Sequence, residues 1–169
     1  ADEVAAAAQL PDGDLGHAIR FILPNNRMAS DVSLGGVLGR LYVRPASHAG
    51  GPSGPTASVP YGARLRLRSD FPMTGYNAAA QVILRTMQRY GIVLADGGTV
   101  ALTVESDRYT TNTWASLGLG ARVFDQTAGA QKVFISDFAV LDTGPRIGET
   151  YDCVRASPQL DPLFANGFE

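Results

Sequence analysis

The sequence predicts a β-rich α+β domain: a sandwich or a curved antiparallel sheet with one principal helix, over about residues 77–90, packed on it. Three observations carry that prediction. A single stretch sustains a helical period, with Ala79, Val82, Ile83, Thr86, Met87 and Tyr90 spaced to lie on one helix face. Several short runs alternate apolar and polar residues with the period of a strand. Nineteen glycines and ten prolines cut the chain into lengths that suit strands and turns. With 169 residues, 45% of them apolar, there is material for one substantial core, and one domain over 16–154 is expected.

Taken in order, Ala1 to Gln9 has a helical composition but little apolar face, so residues 1–15 are expected to form a flexible arm. GHAIRFIL, residues 16–23, alternates and places His17, Ile19, Phe21 and Leu23 together. Residues 27–38 read as a packed loop, and GRLYVR, 39–44, as a second strand with Tyr42 between Arg40 and Arg44. The Gly-, Pro- and Ser-rich segment 49–60 reads as a mobile surface loop. YGARLRLRSDF has the cleanest alternation, with Ala63, Leu65 and Leu67 inward and Arg64, Arg66 and Arg68 outward.

Asn77 can accept a hydrogen bond from the first turn of the helix, and Gly91 can end it in the left-handed conformation. Ile92 to Ala95 is apolar on both sides, as an interior strand is. Asp96-Gly97-Gly98 then reads as a turn and Thr99 to Val104 as the returning strand of a hairpin. Residues 121–124 and 132–141 read as two further strands or as a strand plus a packed extended segment, and 155–169 as an irregular tail.

The net charge of −2 gives no field that would attract nucleic acid, and no apolar run approaches the roughly twenty residues needed to span a bilayer as a helix. Of fourteen cationic side chains all but Lys132 are arginine, a bias that a GC-rich genome also produces. Cys153 is the one cysteine, with no nearby histidine or Cys-x-x-Cys spacing to make it a nucleophile. The chain begins ADEVAAAA, with neither an initiator methionine nor a signal peptide, and is expected to be a processed form or an excised segment.

Candidate chemistry rests on few residues. His17 and His48 are the two histidines; if their strands were neighbours they could supply an acid/base pair or two ligands of a divalent metal. Ordinary structural histidines would look the same. Glu105 and Asp107 follow the expected hairpin, and a pair of acids could do glycosidic acid/base work. The arginines at 64, 66 and 68 recur about 7 Å apart along one strand face, suited to the acid groups of a polymer, although a solvated outer face carries the same pattern. Tyr42, Arg40 and Arg44 could extend that patch. Asp96 is explained by turning, and Gly97-Gly98 opens no helix that would cradle a phosphate.

The ordered segments GHAIRF, YVRPASH, YGARLRLRSDF and QVILRTMQRYGIVLADGG resemble the C-terminal half of a group of uncharacterised secreted bacterial proteins. Those proteins carry His-Ala-Leu-Arg-Phe, Trp-Pro-Ala-x-His, a Gly-x-Arg-Phe-x-Leu strand and an Ile-Leu-x-x-Leu-x-x-Tyr-Gly-x-x-x-x-Asp-x-Gly helix and strand. The resemblance spans residues 2–115 and matches both His17 and His48 to motif histidines. Here arginine stands before Pro45 where the pattern has tryptophan, which removes a stacking group. The group also has a long N-terminal portion with no counterpart here, which implies that a second polypeptide from the same precursor is a partner. The ending PLFANGFE resembles a short C-terminal sequence of exported proteins in some soil gammaproteobacteria.

Together these features suggest a secreted or periplasmic, carbohydrate-directed enzyme or a fragment of one. His17, His48, Glu105 and Asp107 would be catalytic, and Tyr42, Arg64 and Arg66 would hold a polysaccharide. The competing expectation is a non-catalytic binding or assembly module that associates with another chain or with itself.

Overall fold

A computed structural model of the chain describes residues 1–152; Cys153 and the tail 155–169 lie outside the described residues. Secondary structure is mixed, with few helices and one five-stranded sheet, an α+β arrangement. In chain order come α1 (Asp2–Ala7), β1 (Ile19–Leu23), β2 (Leu41–Tyr42), β3 (Arg64–Leu67), α2 (Ala78–Arg89), β4 (Ile92–Gly97), β5 (Ala101–Leu102), α3 (Val123–Gln126), β6 (Phe138–Val140) and β7 (Ile147–Gly148). The large sheet has the order β5-β1-β4-β3-β6, and β2 pairs with β7 in a separate two-stranded sheet.

The sheet is not the antiparallel one expected. Its central pair, β1 and β4, runs parallel, with Ile19 opposite Ile92 and Phe21 opposite Leu94. The expected hairpin also fails to form: β5 pairs with β1, not with β4. The reason lies in β4 itself, whose apolar residues on both faces suit a position between two other strands. It therefore takes β1 on one side and β3 on the other, leaving β5 to pair beyond β1.

Helix α2 forms as its sequence directs. Asn77 Oδ1 accepts from Ala80 N at 2.8 Å, capping the first turn. Gly91, at φ +78°, follows the helix, and a Cβ there would lie 2.4 Å from the Leu65 carbonyl oxygen, so both conformation and space demand glycine. Beyond the expected apolar face, Ala80 and Leu84 are also buried, because other parts of the chain pack around the helix. Thr86, fully buried, donates to the Val82 carbonyl and accepts from Leu15 N at 3.0 Å, while Arg85 donates to the Gly13 carbonyl at 2.7 Å.

Residues 1–15 therefore have more to bury than their composition suggested. Helix α1 packs on α2 through Val4 and Ala7, both in the core. A similar correction applies to 49–60. Ser53 N donates to the Asn25 carbonyl, Gly54 N to the Met28 carbonyl, and Arg146 Nη2 to the Ser58 carbonyl at 3.2 Å. A Cβ at Gly54 would sit 2.5 Å from the Asn26 carbonyl oxygen, so this glycine serves a close backbone approach. Residues 123–126 are helical rather than extended, and within 132–141 only Phe138–Val140 is a strand.

Alternation assigns the two faces of the large sheet. Ile19, Phe21, Leu65, Leu67, Ile92 and Leu94 are buried on the face against which α2 lies, and they form the core with it. The opposite face carries Arg20, Val93, Arg64, Arg66 and Ala139, which occupy the alternate positions.

Candidate functional site

The open face of the sheet is where chemistry-bearing side chains collect. Val93 stands between Arg20 on β1 and Arg64 on β3, each opposite it in register. Two strand spacings of about 4.8 Å separate those arginine backbones, and Arg66 lies about 7 Å further along β3. Arg66 is exposed, and the Nε of Arg64 is buried with no hydrogen-bond partner. Among the described residues neither Arg64 nor Arg66 forms an ion pair. Arg68, the third arginine of the alternating run, is engaged within the fold: it lies 2.8 Å from Asp70 and 3.0 Å from Asp137.

Beside this row, a cleft of about 260 Å³ is lined by residues 45–48, Tyr61 and 93–95. The rings of His48 and Tyr61 stand 6.4 Å apart at 41°. The Tyr61 hydroxyl donates to the Ala95 carbonyl, and burial, followed by the negative charge of Asp96, holds its phenol above the ordinary value of 10. Arg20, 2.6 Å from Asp96 through Nη2, acts on that phenol in the opposite sense. The cleft thus joins a largely apolar wall to two rings, with cationic groups in the adjoining row.

The strand β4 has an irregularity here. Register shifts between Phe21 and Ile22, so that Asp96, rather than Ala95, falls opposite Ile22. Strict alternation from Leu94 would send Asp96 to the helix-covered face; the extra residue re-aims it toward Arg20.

The catalytic set expected from the sequence is dispersed. His48 lines the open-face cleft, whereas His17 meets Glu3 of α1, on the helix-bearing side. Among the described residues no hydrogen bond joins the two imidazoles, and His48 Nδ1 lies 3.3 Å from Ser47 Oγ. Both nitrogens of His17 face acceptors, with Nδ1 3.0 Å from the Ala18 carbonyl oxygen and Nε2 3.2 Å from Glu3 Oε1. Only the imidazolium donates to both. The Ala18 carbonyl, opposed by burial and assisted by Glu3, holds the His17 pKa above its ordinary 6.5.

Glu105 and Asp107 lie in the segment after β5. The Glu105 carbonyl accepts from Trp114 Nε1 at 3.0 Å, and Asp107 Oδ2 accepts from Trp114 N at 2.7 Å. Asp107 is thereby occupied in holding the 107–114 turn. Tyr42 belongs to the small sheet and is joined to Tyr61 by a backbone bridge. Among the described residues, no group of three or more His, Cys, Asp or Glu side chains is arranged to hold a metal ion.

Two participants escaped the sequence reading. Arg20 was legible as the residue alternating out of IRFIL, opposite His17, Ile19 and Phe21. Asp96 was not, since its orientation depends on the bulge. Compared with family models, curated proteins and solved structures, the chain matches none. No helix among the described residues is long and apolar enough to cross a membrane.

Proposed function

We propose that this chain is a non-catalytic module that binds an acidic polysaccharide across the open face of its large sheet. The observation that carries this reading is the pair Arg64 and Arg66, on the face opposite the one that α2 packs against and with no carboxylate in ion-pair contact with either among the described residues. Guanidinium groups left in that state hold carboxylates or sulfates through paired N–H donors. The apolar cleft beside them, with His48 and Tyr61, suits the body of a sugar ring while the arginines take its acid group.

A secreted or periplasmic setting, and a second polypeptide or another copy as partner, belong to the same proposal and rest on the motif resemblance in residues 2–115. The enzymatic alternative now rests on the open-face ring pair. His48 beside the cleft could act as an acid or base on a bound polymer, without His17, Glu105 or Asp107.

Titration with polygalacturonate and with neutral dextran, at several salt concentrations, tests the binding reading. Polygalacturonate should bind and weaken as salt rises, since each arginine contact releases counterions, while dextran should not bind. Replacing Arg64 and Arg66 together by alanine should weaken polygalacturonate by about ten- to thirtyfold. Equal affinity for both polymers would overturn the reading. Turnover of a polysaccharide that His48→Ala abolishes would instead establish the enzyme.

A further inference from the structure

The open face contains an acid of its own, and its placement says how an acidic ligand would be received. Asp96 accepts from Arg20 Nη2 at 2.6 Å through Oδ2, and its Oδ1 accepts from Gly97 N at 2.8 Å. The two side chains are 50% and 57% exposed, so water reaches the pair from the open side. An ion pair of this kind is weak and exchanges readily. Asp96 directly follows Ala95, which lines the cleft and whose carbonyl accepts from the Tyr61 hydroxyl.

The bulge makes this arrangement specific. Without the extra residue after Leu94, the Asp96 side chain would turn to the buried face, and Arg20 would stand uncompensated beside Val93 as Arg64 does. Of the three arginines on this face, one is matched by a carboxylate among the described residues and two are not. A carboxylate that approaches Arg64 across Val93 comes within reach of Arg20 and meets the charge of Asp96 there.

We infer that Arg20, Arg64 and Arg66 form one oxyanion site, and that Asp96 is its built-in competitor, held on Arg20 until the acid group of a ligand takes its place. This deepens the polysaccharide-binding reading and rests on it. It identifies Asp96 as the residue that sets how strongly an acid group must bind before Arg20 is recruited. Chains with closely repeated carboxylates or sulfates are favoured, because they engage Arg64 and Arg66 first and then displace Asp96 from Arg20.

The experiment compares wild type, Asp96→Asn, Arg20→Ala, the Asp96→Asn/Arg20→Ala double variant and the Arg64→Ala/Arg66→Ala double variant, each titrated with polygalacturonate. Asparagine keeps the shape of Asp96 and an acceptor for Gly97 N while removing the charge; Asp96→Ser gives the same reading should the amide disturb the bulge. Asp96→Asn should bind about fivefold more tightly and show a steeper salt dependence, as expected for removal of one exposed opposing charge. That gain should vanish in the Arg20→Ala background. If Asp96→Asn binds no more tightly than wild type, or gains equally without Arg20, the competitor role is overturned. Should the Arg64→Ala/Arg66→Ala protein still be weakened in that event, the binding reading stands alone. Failure of wild-type protein to bind polygalacturonate would overturn both.

Discussion

Arg66 on β3 and Arg68 just beyond its end are two residues apart and look equivalent in the alternation of the sequence, yet the fold uses them differently. Arg68 sits at the end of β3, where Asp70 follows in sequence and Asp137 arrives just ahead of β6, and it also lies over the Phe71 ring at 5.3 Å. Arg66 faces Ala139 across the same β3–β6 pair. The contrast extends to the two sides of the sheet. Arg85 and Arg89 of α2 bond the carbonyls of Gly13 and Asp12, and His17 bonds Glu3, so cations on the helix-bearing side are satisfied by the chain itself. On the open side Arg64 and Arg66 form no ion pair among the described residues. Among the described residues, then, the cations of the helix-bearing side are bonded within the fold, and Arg64 and Arg66 of the other side have no ion-pair partner.

That division can be broken by substitution, most severely on the covered side. Leu84, fully buried in α2, should cost about 2–5 kcal/mol on replacement by alanine, measured by urea denaturation, because the transfer and cavity costs add. A loss under about 1 kcal/mol would show that the helix is not packed as described. Next comes Glu149, which is 3% exposed and whose two carboxylate oxygens accept from Ala49 N at 2.5 Å and Tyr151 N at 2.6 Å. Alanine there strands the buried Ala49 N–H, at a cost of about 1–3 kcal/mol in the same assay. Asn77→Ala removes the α2 cap and should cost about 1 kcal/mol.

Arg66→Ala sharpens the comparison by what it leaves alone. Its unfolding free energy should stay within about 0.5 kcal/mol of wild type, while its affinity for polygalacturonate falls. A matching loss of stability would place Arg66 in the same class as the buried groups. The smallest effect concerns pH. Because the folded protein holds the His17 pKa above 6.5, the Glu3 and Ala18 contacts contribute their stability fully below the unfolded value and lose it as pH rises through the raised folded value. His17→Gln should flatten that part of the stability profile, read from urea midpoints across the window. The side chain is 59% exposed, so the change is small.

Local signals in the sequence were sufficient for α2 and the strand after it, though not for the helical turn at 123–126. The spacing from Ala79 to Met87, the Asn77 cap and Gly91 specify α2, and the double-sided apolarity of 92–95 specifies a central strand. Pairing partners were not legible, because a strand such as β5 carries no mark that directs it to β1 in place of the nearer β4. For the site, Arg64 and Arg66 could be read from alternation, and His48 from its composition alone. His17 and His48 both lie in connecting segments, beside α1 and beside the cleft respectively, which alternation does not position, and the orientation of Asp96 depends on one extra residue in β4. Sequence spacing also says nothing of Trp114, whose indole N–H bonds the Glu105 carbonyl and whose backbone N–H bonds the Asp107 carboxylate.

The central claim is that ligand binding belongs to the open face and leaves the helix-bearing side untouched. Titrating isotopically labelled protein with an oligogalacturonate and following the amide resonances tests it directly. Shifts should concentrate at Arg20, Tyr61, Arg64, Arg66, Val93 and Ala95, with Val4, Leu84 and Thr86 unmoved. Shifts gathered instead over α1 and α2, or none at saturating ligand, would contradict it.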